Sequence, residues 1–169
     1  MSEDTNAPAA VNPVPAGLFH EPTVGGGDYW PAVNGSYIGE LLRFEEGPAF
    51  DENGKRVEGE ATDKQKRVRW VFNVCNMDGS QVTYVPAEGE NKGKTLNATA
   101  DVLTSLLITK KATAPLYFKA LLGREVVFEG PNKDSALALM TASIGKKAML
   151  VVGPNKNNKT AVVNIIHMG

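Results

Sequence analysis

The chain has 169 residues, of which 42% are hydrophobic and 22% charged, with a formal net charge of −1. Those proportions suit one ordinary globular domain and exclude collagen-like, low-complexity and multi-span membrane classes. A single cysteine, Cys75, excludes an internal disulfide framework and fits a reducing cytoplasm.

The small net charge conceals an asymmetry. Residues 1–63 carry three cations against twelve acids, a balance of −9, whereas residues 64–169 carry fifteen cations against seven acids, a balance of +8. A basic body with an acidic arm and an acidic loop is the arrangement this implies. The N-terminal stretch has no basic segment followed by an apolar one, so it does not read as a signal peptide. No stretch approaches the ~18 apolar residues of a membrane span. The expectation is a soluble protein of the cytoplasm, with no membrane partner.

In chain order, residues 1–32 are rich in Pro, Ala, Gly and Asn and read as a flexible arm, leaving 33–169 as the folded domain. Tyr29-Trp30 at the end of the arm is either a plug on the domain or an exposed contact. Ser36 to Phe44 reads as a first strand of mixed alternation. Glu45 to Asp63 reads as a long acidic loop, with a hairpin signal at Asn53-Gly54. The clearest strand follows. Val68, Trp70, Phe72 and Val74 share one face, with Lys66 in line, while Arg67, Arg69, Val71, Asn73 and Cys75 share the other. Asp78-Gly79 supplies a turn, and Gln81 to Val85 is expected to return as the third strand of a meander.

Thr99 is placed to cap a helix whose Val102, Leu103, Leu106 and Leu107 recur at helical spacing. A second helix is expected from Thr113, with Pro115 in its first turn and Gly123 as its stop. Glu125 to Glu129 reads as a short strand, and 135–142 is ambiguous between helix and extended chain. Lys147–Val152 and Thr160–Ile166, joined by a lysine-bearing turn, form a closing hairpin. The fold class is therefore mainly β: a five-stranded OB-like Greek-key barrel with a helical insertion between strands three and four. A small sandwich with helical insertions is the alternative.

Enzymatic signatures are missing. There is no phosphate-binding glycine loop, no H-E-x-x-H and no G-x-S-x-G. Cys75 has no nearby histidine in sequence to act as a base, since His20 and His167 stand far from it. The acidic pairs Glu45/Glu46 and Asp51/Glu52 lack calcium-loop spacing and read as a solvated loop. No catalytic residue, metal site or cofactor is expected.

What remains is a binding surface. Single strands of nucleic acid are held by a basic groove and by aromatic faces on which bases stack. The strand from Arg67 to Cys75 carries both residue types. If Val68, Trp70, Phe72 and Val74 line the barrel, then Arg67, Arg69 and Asn73 turn outward, onto the face that binds ligands in an OB barrel. Lys146, Lys147, Lys156 and Lys159 extend the candidate track. Trp70 and Tyr84 are candidate stacking residues, each dependent on which way its strand faces. The bland alternative is a solvated strand face whose charges serve solubility.

Several short motifs carry a resemblance. They are Val33-Asn34-Gly35-Ser36-Tyr37 opening strand one, Arg69-Trp70-Val71-Phe72 in strand two, Thr104-Ser105, Ala120-Leu121-Leu122-Gly123-Arg124 after a helix, and Ile144-Gly145-Lys146-Lys147-Ala148-Met149-Leu150-Val151-Val152 entering strand four. From about Val33 to Ile166 the chain resembles OB-fold single-stranded-DNA-binding-like proteins of actinobacterial bacteriophages. The resemblance implies a non-enzymatic protein that coats single-stranded DNA during replication or recombination in the host cytoplasm, with replication or recombination proteins as partners. Whether it forms a homo-oligomer is left open. The rival expectation is a protein-interaction module, a replication accessory or host-protein inhibitor, that uses the acidic strand 1–2 loop and the N-terminal arm.

Overall fold

The computed structural model describes residues 33–106, 108–155 and 158–169. The N-terminal arm, Tyr29-Trp30, Leu107 and Lys156 lie outside the described residues. Strand β1 runs Gly35–Glu46, β2 Arg67–Cys75, β3 Thr83–Tyr84, β4 Leu96–Asn97 and β5 Thr99–Ser105. Two helices follow, α1 at Ala114–Leu122 and α2 at Ala136–Ser143, and then β6 at Lys147–Pro154 and β7 at Thr160–His167. Five of these strands form one antiparallel sheet in the order β5-β2-β1-β6-β7, and β3 and β4 form a separate two-stranded sheet. The outermost strands, β5 and β7, approach to Cα separations within 8 Å. No ladder joins them among the described residues, so hydrogen bonds do not close the sheet into a barrel.

The mixed alternation of β1 has a physical cause. Its register against β2 shifts between Leu41, opposite Phe72, and Arg43, opposite Val71. A bulge adds one residue and reverses the side-chain parity beyond it. Leu41 and Phe44 therefore both pack on the core, whereas Arg43 and Glu45 turn to the outer face. The bulge is fastened by β6, because Leu41 N–H donates to Lys146 O at 2.9 Å and Gly145 N–H donates to Leu41 O at 2.8 Å. The first half of β1 pairs with β6, from Gly35 opposite Val152 to Glu40 opposite Lys147.

The inner face follows from β2. Trp70, Phe72 and Val74 are buried, as their alternation predicts. Trp70 packs edge-on to Phe44 and Tyr117, with ring centroids 4.8 and 5.5 Å apart, and is tilted against Phe118 at 4.7 Å. Its indole N–H donates to Thr104 Oγ1 at 2.8 Å, so the one polar atom of a buried ring is satisfied. Tyr117 and Phe118 come from α1, which lies over this end of the sheet, and burial raises the Tyr117 phenol above its ordinary pKa. Full burial of each such side chain contributes about 1.5–3 kcal/mol.

Three sequence expectations are corrected. The stretch from Thr99 is strand β5, not a helix. Ala98, Ala100, Val102 and Thr104 are all buried and alternate with Thr99, Asp101, Leu103 and Ser105. Small residues at these inner positions make room for Trp70, and pairing with β2 outweighs the helical spacing of the leucines. For the same reason Gln81–Val85 is not the third strand of the sheet. The turn at Asp78-Gly79 does bring Gln81 back to an isolated bridge with Cys75, but the strand that follows, Thr83–Tyr84, pairs with Leu96–Asn97. Finally, Glu125–Glu129 forms no strand. That loop is held by Asp134, whose carboxylate accepts a forked pair of bonds from Arg124 at 3.0 Å and the Val127 N–H at 2.8 Å. The ambiguous segment is α2, capped by Ser135 Oγ, which accepts the Ala138 N–H. Helix α1 forms as expected and ends at Gly123, whose φ of 73° lies in the left-handed region.

Candidate nucleic-acid interface

The outward row of β2 is where phosphate contacts were expected, and the residues there behave differently from one another. Arg69 sits opposite Glu45 of β1 and Leu103 of β5. Its Nε lies 2.8 Å from Asp101 Oδ2 and its side chain is only 11% exposed. Glu45 approaches Arg69 at 3.8 Å and also pairs with Arg43 Nε at 2.6 Å. Two guanidinium groups and two carboxylates thus form one neutral cluster over Val71, itself 1% exposed although it belongs to the outward row. A buried cation is tolerated because it is paired. Arg69 is therefore an internal ion-pair partner, which corrects its expected role as a phosphate ligand. Asn73 is likewise engaged: its Nδ2 donates to Gln81 Oε1 at 2.9 Å, and Gln81 donates to the carbonyls of Val74 and Val82.

Trp70 is corrected more simply. At 1% exposure, walled in by three rings, it has no face free for a base. Tyr84 is half-buried and packs against the core from β3. Lys146 and Lys147 are exposed at the start of β6, while Lys159 is half-exposed just before β7. Pro154, not Lys147, is the register neighbour of Thr160. The seven-residue advance from Lys147 to Pro154 spans roughly 23 Å at ~3.3 Å per residue, so Lys159 lies at the opposite end of the hairpin. Arg67 is six residues along β2 from Asn73, whose row contains Lys147, or roughly 20 Å away by the same rise. The expected residues do not gather into one track.

Arg67 instead belongs to a different constellation. Its Nη1 donates to the carbonyls of Lys64, Gln65 and Lys66 at 3.0–3.1 Å, which fixes the guanidinium at the end of the strand 1–2 loop. From there it lies over the Phe50 ring at 5.8 Å, within cation–π range. Phe50 is brought in by a bridge to Arg56, and the expected hairpin at Asn53-Gly54 closes it: Gly54 takes φ 80°, and Asp51 Oδ1 accepts the N–H groups of Asn53 and Lys55. Phe50, Arg67, Lys64 and Thr62 line an open cleft of about 400 Å³, which Asp51 and Glu52 also border. Phe50 and Lys64 were not among the sequence candidates. The available signal was that Phe50 is the lone aromatic residue in the acidic loop from Glu45 to Asp63.

Among the described residues, no group of three or more His, Cys, Asp and Glu side chains could hold a metal ion, and no helix is long and apolar enough to cross a membrane. Compared with known proteins, the chain matches no family model, no curated protein and no solved structure.

Proposed function

We propose that the chain is a non-enzymatic OB-type protein that binds single-stranded DNA without strong sequence preference, acting in phage DNA replication or recombination in the host cytoplasm. The observation that carries this reading is the Arg67–Phe50 pair in an open cleft at the strand 1–2 loop. A basic side chain and an aromatic ring in one open cleft are the two residue types that hold single strands of nucleic acid. The architecture supports it: a five-stranded antiparallel sheet with both helices between β5 and β6 suits an OB-type reading, in which the loop joining the first two strands contacts ligand. Lys64, which also lines the cleft, supplies further positive charge there.

The test is a fluorescence titration with oligo-dT at two salt concentrations. Affinity falls with a log–log salt slope of about −0.7 per phosphate contacted. Phe50→Ala weakens binding by about 1–3 kcal/mol, the contribution of one stacked base. Undetectable binding at low salt rejects the reading.

A second reading, a protein-interaction module, draws on the neutralised outer face and on the exposed acids Glu52, Glu58 and Glu60 of the same loop. Changing these three to Gln separates the two. Oligo-dT affinity rises under the first reading, whereas capture of a protein partner is lost under the second.

A further inference from the structure

Beyond the cleft, the outer face of the sheet carries an organised row. Cys75 of β2, Ile38 of β1, Met149 of β6 and Ile166 of β7 are successive register partners, so the row crosses four strands. Ile166 is exposed and Ile38 and Met149 are half-exposed. Two register positions along lies Glu40 opposite Lys147, on the same face. Directly opposed charges of this kind usually meet, yet among the described residues no ion pair joins these two. An aliphatic row beside an unjoined acid and base has no aromatic ring for stacking and does not resemble a nucleic-acid surface.

We infer that this face binds a second copy of the chain through a twofold axis that runs parallel to β1 and β6, above the outer face and over the line midway between them. Such an axis exchanges the two strands: Ile38 meets Met149 of the other copy, and Glu40 meets its Lys147, twice over. One operation thus satisfies the apolar row and both charges, which is the self-complementarity an isologous contact needs. Two sheets pack face to face about 10 Å apart with side chains interleaved, a spacing these medium-sized residues fill. The cation–aromatic cleft at Phe50 lies at the far end of β2 from this row, so each protomer keeps its own cleft and the pair presents two.

Sedimentation equilibrium of the full chain over a hundredfold concentration range provides the test, with circular dichroism confirming that each variant is folded. The unmodified chain reaches twice the chain mass at the upper concentrations. Glu40→Lys and Lys147→Glu each place like charges together and weaken the association at least tenfold. The double variant Glu40→Lys/Lys147→Glu restores it, and Met149→Lys abolishes it. A chain that stays monomeric throughout overturns the inference. So does a dimer indifferent to either single change, or a double variant no better than the singles.

Discussion

Asp101→Ala probes whether the neutral cluster holds the outer face together. The Asp101 carboxylate is inaccessible to solvent and stands 2.8 Å from Arg69 Nε. Without it, a guanidinium that is 11% exposed keeps, among the described residues, the Glu45 carboxylate alone, at 3.8 Å and shared with Arg43. Breaking a buried pair by removing one partner costs about 3–5 kcal/mol. The remaining contact with Glu45 offsets part of this, leaving a loss of about 2–4 kcal/mol by the same reckoning. At about 3 °C per kcal/mol for a chain of this size, the melting temperature falls by roughly 6–12 °C. Urea unfolding followed by circular dichroism gives the free energy directly. Replacing both charges, as Arg69→Met/Asp101→Leu, removes the stranded cation as well and is expected to lie within about 1 kcal/mol of the unmodified chain. A loss below about 0.5 kcal/mol for Asp101→Ala, or a double variant as unstable as the single one, refutes this account of the face.

Three further outcomes follow from particular contacts. A Cβ at Gly39 would stand 2.6 Å from Leu150 Cδ1 in the buried core, so Gly39→Ala destabilises by about 1–3 kcal/mol in the same urea assay. In a Trp30→Phe variant, Trp70 is the remaining tryptophan; its emission is blue-shifted and unchanged by oligo-dT, whereas a shift or quench would show that its ring is reached. The Arg124 guanidinium and the Val127 N–H hold the Asp134 carboxyl below the ordinary aspartate value of 3.8, so what this carboxylate contributes is fully present above that pH. It is lost as pH falls through the lower, folded value. Amide spectra should therefore show the Val127 signal moving only at strongly acidic pH, and Asp134→Asn should produce that displaced signal already at neutral pH.

Where the chain repeats a clean period, its structure was legible. The alternation from Arg67 to Cys75 set both the strand and its inward row, and Pro115 and Gly123 bracketed α1. Where small or polar residues did the packing, it was not. Ala98, Ala100 and Thr104 form the inner row of β5, but none registers as a strong apolar marker, so Val102, Leu103 and Leu106 suggested a helix. The bulge in β1 was visible only as irregular alternation. The candidate site failed for a related reason. Periodicity says which way Arg69 points, but its pairing with Asp101 depends on β5 lying beside β2, a contact across more than thirty positions that no local pattern encodes.

The divided pairing of β1 bears on the order in which the chain assembles. One edge of β1, from Ile38 to Glu46, meets β2 across a single loop, and β5 completes that three-stranded unit within the first two-thirds of the sequence. The opposite edge, from Gly35 to Glu40, waits for β6, over a hundred positions later. As the chain emerges, that edge of β1 is therefore bare, with unpaired backbone groups, the kind of edge that recruits stray strands. The slow, high-separation closure of β6 and β7 on β1 covers it. Ile38 to Glu40, paired to β2 on one edge and to β6 on the other, are where the early-forming and late-forming parts of the molecule meet.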